Sequence, residues 1–380
     1  MTRPIRDFAL EVHFSKYEFA ARFNLTGSDA ESHTIEEILA LGTEADRRAL
    51  FDLSLGYTET YGAPALREAI ARTYDSAAIG SGNILTFAGA QEALYAANRV
   101  LLDPGDHAIA ITPNYQSSET MPATICEVTG VPLDPEREWH LDVDRLIAAM
   151  RPNTRLVSIN FPNNPTGALI PEASLRALVE ACRARGIWLL SDEVYRLIEA
   201  DPARRLPQCA DIYERGLSLN VLSKAYGLPG LRIGWLACQD REMLRRLERY
   251  KHYLSICNSA PSELLGRIAL EHREVILDRN RGIVNANLAL LDAFFADYPA
   301  LFEWQRPQSS CVAFPRYLGA DGVEAFTHQL VEEAGVLLLP ASIYRSDLTP
   351  TPTDRFRIGF GRRLTAPALE VFRGWLEARS

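Results

Sequence analysis

Short, almost unbroken apolar runs, each stopping at a knot of polar and turn-forming residues, restrict what this chain can become. His107-Ala108-Ile109-Ala110-Ile111 stops at Pro113-Asn114-Tyr115, Leu156-Val157-Ser158-Ile159 at Asn160-Phe161-Pro162, and Ile187-Trp188-Leu189-Leu190 at Ser191-Asp192-Glu193. Runs this short and this uniformly apolar read as strands buried on both faces. Between the second and third lies 172–182, whose apolar residues recur at three- and four-residue intervals; Gly186 closes that helix before the next strand. Alternating strands and helices predict an α/β fold with a mostly parallel sheet covered by helices on both faces. In such sheets ligands gather beyond the carboxyl ends of the strands, so the residues just after each apolar run are the first candidates for chemistry.

Asp192 is one of them. It fits the N-cap of a following helix, and it equally fits a carboxylate that keeps a ring nitrogen protonated and the ring electron-poor. Tyr195, three residues on, can hydrogen-bond an oxygen of the same ring. Asn164 stands in a loop stiffened by Pro162, Pro165 and Gly167; it can donate to that oxygen or to a substrate carboxylate, or form part of a plain turn. Thr86-Phe87-Ala88-Gly89 turns at small residues into a helix reaching about Leu102, and a helix N-terminus with bare N–H groups suits a phosphate. Tyr115 can stack on a ring at the same edge or simply pack.

Lys224 completes the set, with the Ser223 hydroxyl just before it and the Arg232 guanidinium eight positions after. A lysine amine attacks a carbonyl only when unprotonated, and its ordinary pKa of about 10.4 must be lowered by desolvation or a neighbouring positive charge. Linkage as an imine to pyridoxal 5'-phosphate (PLP) removes that difficulty and supplies an electron sink.

Asn163-Asn164-Pro165-Thr166-Gly167, Ser191-Asp192-Glu193-Val194-Tyr195 and the stretch from Ser223 to Trp235 occur in this order. The chain thereby resembles the class I/II aminotransferases, PLP enzymes of fold type I, from about Tyr57 to its end. The resemblance implies Lys224 as the Schiff-base lysine, Asp192 as the pyridinium partner, Asn164 and Tyr195 on the ring's 3-oxygen and Tyr115 as the stacking ring. It implies phosphate contacts from Ala90, Gln91, Ser223 and Arg232, with Tyr61 reaching across from the second subunit of a homodimer. Arg357 matches the arginine that clamps the substrate α-carboxylate in a bidentate pair. Arg355, two positions away, should face the same side, and only the resemblance chooses between them. The implied reaction is double displacement between an L-amino acid and a 2-oxo acid, a step of amino acid metabolism or biosynthesis.

The segment from Phe14 to Ser32 is similar to the opening of capreomycidine-synthase-like enzymes and, more faintly, to PLP arginine oxidases. Those oxidases carry a functional histidine where Glu31 falls here. A cyclase or oxidase of specialised metabolism acting on an arginine-like amino acid is therefore the second expectation, with Asp29 and Glu31 facing a cationic side chain. Alternatively, Ser28, Asp29 and Ser32 cap a helix beginning near Thr34.

At 380 residues the chain exceeds one comfortable core. A large PLP-binding domain is expected over 46–280. A smaller α+β domain should combine 1–45 with 281–380, and a long helical stretch from Pro261 toward Tyr298 should bridge them. The net charge of −9 argues against nucleic acid or an anionic membrane as partner. The first 50 residues are too short and too acidic for the basic module of an aminotransferase-like DNA-binding regulator. Six cysteines without CxxC spacing read as reduced thiols, and seven histidines without ligand spacing predict no metal. The opening residues lack the apolar core of a signal peptide, which points to the cytoplasm.

Overall fold

Seven strands pair into one sheet in the computed structural model, which describes residues 4–379; residues 1–3, part of the stretch read for a leader, lie outside it. In chain order the strands are β1 (Ile84–Phe87), β2 (His107–Thr112), β3 (Glu127–Pro132), β4 (Thr154–Asn160), β5 (Trp188–Asp192), β6 (Gly216–Val221) and β7 (Gly234–Ala237). Their spatial order is β1-β7-β6-β5-β4-β2-β3. Strands β2 to β6 run parallel, and β7 is antiparallel to both β1 and β6. Every residue of β2 and β5 is buried, as their unbroken apolar runs require. The direction of winding reverses between β2 and β4, which opens a crevice at the carboxyl ends of these two strands.

The helix expected after β4 spans Glu172–Arg185 and ends at Gly186, whose left-handed φ of 65° only glycine adopts without strain. The stretch past Pro261 differs from expectation. It forms two helices, Ala260–Glu271 and Arg273–Asp297, broken at His272. A single straight helix of that span would be about 55 Å long; the break lets the first half pack on the Pro64–Ala71 helix and the second on the Thr365–Glu377 helix.

The apolar run Val336-Leu337-Leu338-Leu339 is divided between two partners. Val336–Leu337 pairs in parallel with Phe23–Asn24, and Leu339–Pro340 pairs antiparallel with Phe356–Gly359. The amino-terminal segment is thereby sewn to the last third of the chain. The helix near Thr34 is short, Ile35–Leu39, and Thr34 caps it with Glu37 closing the capping box. Ser28, Asp29 and Ser32 are not its caps. All six cysteines are free thiols. Among the described residues no His, Cys, Asp and Glu group could hold a metal, and no helix is long and apolar enough to cross a membrane.

Candidate active site

The carboxyl ends of β4, β5 and β6 border a cavity of about 240 Å³. Asn160 and Asp192, the last residues of β4 and β5, sit side by side in register. Asn160 Nδ2 donates to the Asp192 carbonyl at 3.0 Å, and its Oδ1 accepts from the Asn164 N–H at 2.8 Å. One amide side chain thus ties the Asn163–Thr166 turn to the strand ends, and Asn164 joins the cavity wall. No helix follows Asp192; its Oδ1 accepts from the Val194 N–H at 3.2 Å. Burial pushes the Asp192 carboxyl up to about 6, against the pull of that N–H and of the Lys224 charge.

Lys224, just past β6, faces Asp192 across the cavity. It is one of three lysines in the chain, with Lys16 and Lys251, and the one on the cavity wall. Burial lowers its pKa; the charges of Asp29 and Asp192 oppose that shift, and Arg357 adds to it. Its Nζ donates to Ser28 Oγ at 2.7 Å and lies 5.8 Å from the centre of the Tyr195 ring. Tyr195 and Tyr115 are both on the wall, and burial raises both phenols.

The opposite end of the cavity has the character of an anion cradle. The Ala90–Leu101 helix begins here, with first-turn N–H groups that have no intrahelical acceptor. Gly89 precedes it at φ 93°, and a β-carbon there would stand 2.2 Å from Arg232 Nη2. The guanidinium therefore lies against the bare backbone leading into the helix. Ser223 Oγ is buried without a hydrogen-bond partner among the described residues. A phosphate accepting from Ser223, Arg232 and the N–H groups of Ala90 and Gln91 would satisfy the orphaned serine and backbone donors, while Arg232 Nη1 keeps its bond to the Pro229 carbonyl at 3.2 Å. Gln91 Oε1 accepts from Ser117 Oγ at 2.8 Å, which fixes its side chain.

Arg357, on the Phe356–Gly359 strand, is buried behind Asn164. Its Nη1 donates to Asn164 Oδ1 at 3.1 Å and its Nη2 to the Thr26 carbonyl at 2.6 Å, while its Nε has no partner. The Tyr344 hydroxyl donates to the same Asn164 oxygen at 3.3 Å. Arg355 goes elsewhere: it bonds the Phe314 carbonyl at 3.3 Å and lies 4.9 Å from the Trp139 ring centre.

Three expected residues, Arg357, Glu31 and Tyr61, are not on the cavity wall. Glu31 turns away, its Oε2 accepting from the Arg363 N–H at 2.7 Å, while its neighbour Asp29 is bound through both oxygens by Arg362. Tyr61 is half-buried, its carbonyl accepting from the Thr86 N–H at 3.1 Å. Sequence reasoning passed over Asn160, which the rule that found Asp192 also finds, since it ends the apolar run of β4. It read Ser28 only as a helix cap and passed over the Ala9–Tyr17 helix, whose Leu10, Glu11 and Phe14 line the cavity. These stand in the first 30 residues, which carry no strand-end signal.

Known proteins resemble this chain along nearly its whole length. The chain is 29% identical over 375 residues to capreomycidine synthase of Streptomyces vinaceus, covering 98% of this chain and 91% of that one. The structure superposes on a PLP-dependent aminotransferase from Streptococcus suis with a TM-score of 0.91 at 32% identity, covering 99% of each chain. It superposes on the PLP-dependent cyclase OrfR with a TM-score of 0.87 at 26% identity, covering 100% of this chain and 99% of the other. The Aminotransferase class I and II profile matches residues 24–372, and the chain is an enzyme of that PLP-dependent, fold type I family.

Proposed function

We propose that this enzyme transfers an amino group between an L-amino acid and a 2-oxo acid, with PLP held covalently on Lys224. The carrying observation is the facing pair across one cavity: a buried lysine whose pKa burial lowers, and a buried carboxylate whose pKa burial raises. Such a carboxylate gains most from a cationic ring N–H, and such a lysine is ready to act as a base.

PLP, when bound, supplies an aldehyde carbon and a ring that withdraws electrons from the substrate's α-carbon. The chain supplies the rest. Asp192 pairs with the ring nitrogen, Asn164 and Tyr195 bond the ring oxygen, and Tyr115 covers a ring face. Ala90, Gln91, Ser223 and Arg232 hold the phosphate. Arg357, steadied by Asn164 and Thr26, takes the substrate carboxylate. Lys224 Nζ removes the α-proton and returns a proton at the end of the half-reaction. In the domain division this implies, 46–280 carries the cofactor contacts, and 1–45 with 281–380 carries Ser28 and Arg357. A homodimer with Tyr61 completing its partner's phosphate site accords with the exposure of Leu55 and Tyr57, 85% and 92%, beside it in sequence.

A second reading, cyclisation or oxidation of an arginine-like amino acid, draws on the two relatives that are a capreomycidine synthase and a cyclase. It also draws on Glu11, a carboxylate on the cavity wall with no ion pair among the described residues. Glu31 lends it no support, being engaged with the Arg363 N–H. Incubating enzyme with a panel of amino acids, with and without a 2-oxo acid, separates the two. Sustained turnover only in the presence of the oxo acid is expected. Sustained ring-closed product or oxygen uptake without it would overturn transamination in favour of the second reading.

A further inference from the structure

The side chain of Lys224 makes one hydrogen bond to the rest of the described protein, and its acceptor, Ser28, belongs to none of the motifs that define the cofactor site. We propose that Ser28 is the positioning residue for the catalytic base: its hydroxyl receives the Lys224 amine when an incoming amino acid frees it, and holds that amine in place to take the substrate α-proton. The proposal rests on the reading of Lys224 given above.

The segment carrying Ser28 is fixed from several directions. Asn24 Oδ1 accepts from both the N–H and the hydroxyl of Thr26, at 2.9 and 2.5 Å. The Leu25 carbonyl accepts from the Gly359 N–H at 2.7 Å, and the Asp29 carboxylate is gripped by Arg362. The Ala30 N–H donates to the carbonyl of Lys224 itself at 3.0 Å. On the other side, Gly227 sits at φ 67°, and a β-carbon there would stand 2.4 Å from the Glu31 carbonyl oxygen. The lysine loop and the 26–31 segment are thus in backbone contact, and Ser28 has little freedom to leave the amine.

The hydroxyl has a second neighbour in the Tyr195 phenol, on which it acts against the burial that raises that group. The 2.7 Å contact has Ser28 Oγ accepting from Lys224, which leaves the hydroxyl's own hydrogen free to turn toward that phenol oxygen. An amine that donates one hydrogen to Ser28 keeps its own lone pair for the α-carbon. The lone pair then takes the α-hydrogen as a proton, and the C–H electron pair stays with the substrate carbon. The other groups facing Lys224 are ill-suited to this task. Asp192 is committed to the ring nitrogen, Asp29 to Arg362, Arg357 is cationic, and burial keeps the Cys311 thiol protonated, its pKa pushed to about 12.

The test compares wild type, Ser28→Ala and Ser28→Thr in two measurements. In the holoenzyme, kcat for protiated and α-deuterated amino acid is measured. Ser28→Ala should lower kcat by about 30-fold with little change in KM and raise the isotope effect, as expected for a misplaced base; Ser28→Thr should restore both. In the full chain stripped of PLP, acylation of each lysine is followed against pH by peptide mass. Loss of an acceptor that favours the charged amine should move the Lys224 midpoint to lower pH in Ser28→Ala and leave Lys16 unmoved. An unmoved Lys224 midpoint, or an isotope effect equal to wild type, overturns the proposal. Should Ser28→Ala not accumulate, Ser28→Cys, close in size and a weaker acceptor, enters the same comparison. Failure of PLP to fix on wild-type Lys224 counts against the underlying reading, and the acylation comparison still decides for or against Ser28.

Discussion

Asp192 shows how much chemistry one position can carry. Its carboxyl, 6% exposed and raised to about 6 by burial, pays a desolvation cost that a positively charged ring N–H would offset. Asparagine keeps the size and can still accept from the Val194 N–H, but it cannot hold a ring nitrogen cationic. Asp192→Asn should therefore lower kcat by about 1000-fold, the scale of losing a preorganised electrostatic partner, while the melting temperature stays level or rises. Steady-state kinetics beside a thermal melt checks both, and a variant within tenfold of wild type would remove Asp192 from its role. Residues of this kind were legible in the sequence because each stands at or just past the end of a buried apolar run. Ser28 was not: it enters through a long-range fold-back that pairs Phe23–Asn24 with Val336–Leu337, and no local pattern announces it.

At the scale of elements, β5 and β6 are joined below the site by a second buried acid. Glu193 accepts from the Cys209 N–H at 2.8 Å, from Ser218 Oγ at 3.0 Å and from Asn220 Nδ2 at 3.3 Å, yet burial outweighs these bonds and raises its pKa to about 7. A raised acid binds its proton more tightly in the folded state. Its contribution is fully present below about pH 4.5 and is lost as pH rises through 7, by up to about 3 kcal/mol. Urea midpoints should accordingly fall from pH 5 to pH 8 more steeply in wild type than in Glu193→Gln. Parallel slopes would show that Glu193 is not the group responsible. Element boundaries were the least readable feature. The break at His272 and the division of the 336–339 run both answer to neighbours distant in sequence, and local periodicity continues across each of them.

For the whole molecule, the fold class followed from strand-helix alternation, whereas assembly leaves its mark in exposure alone. Leu55 and Tyr57, together with Phe51 at 73% and Tyr253 at 88%, are large apolar side chains left in water. Covering them with a second copy would bring Tyr61 toward a neighbouring cavity. Light scattering should give a dimer mass for wild type. Leu55→Asp combined with Tyr57→Asp should shift the chain toward monomer and lower PLP affinity together. A double variant that stays dimeric would place the interface elsewhere.

The account depends most on the covalent tie between PLP and a single lysine, and a chain with only three lysines makes that tie easy to locate. Wild type and Lys224→Ala, each saturated with PLP, would be reduced with borohydride, digested and mapped by mass. One pyridoxyl adduct on the peptide containing Lys224, absent from the variant, is the predicted result. An adduct on Lys16 or Lys251 alone, or none at all in saturated wild type, would contradict it.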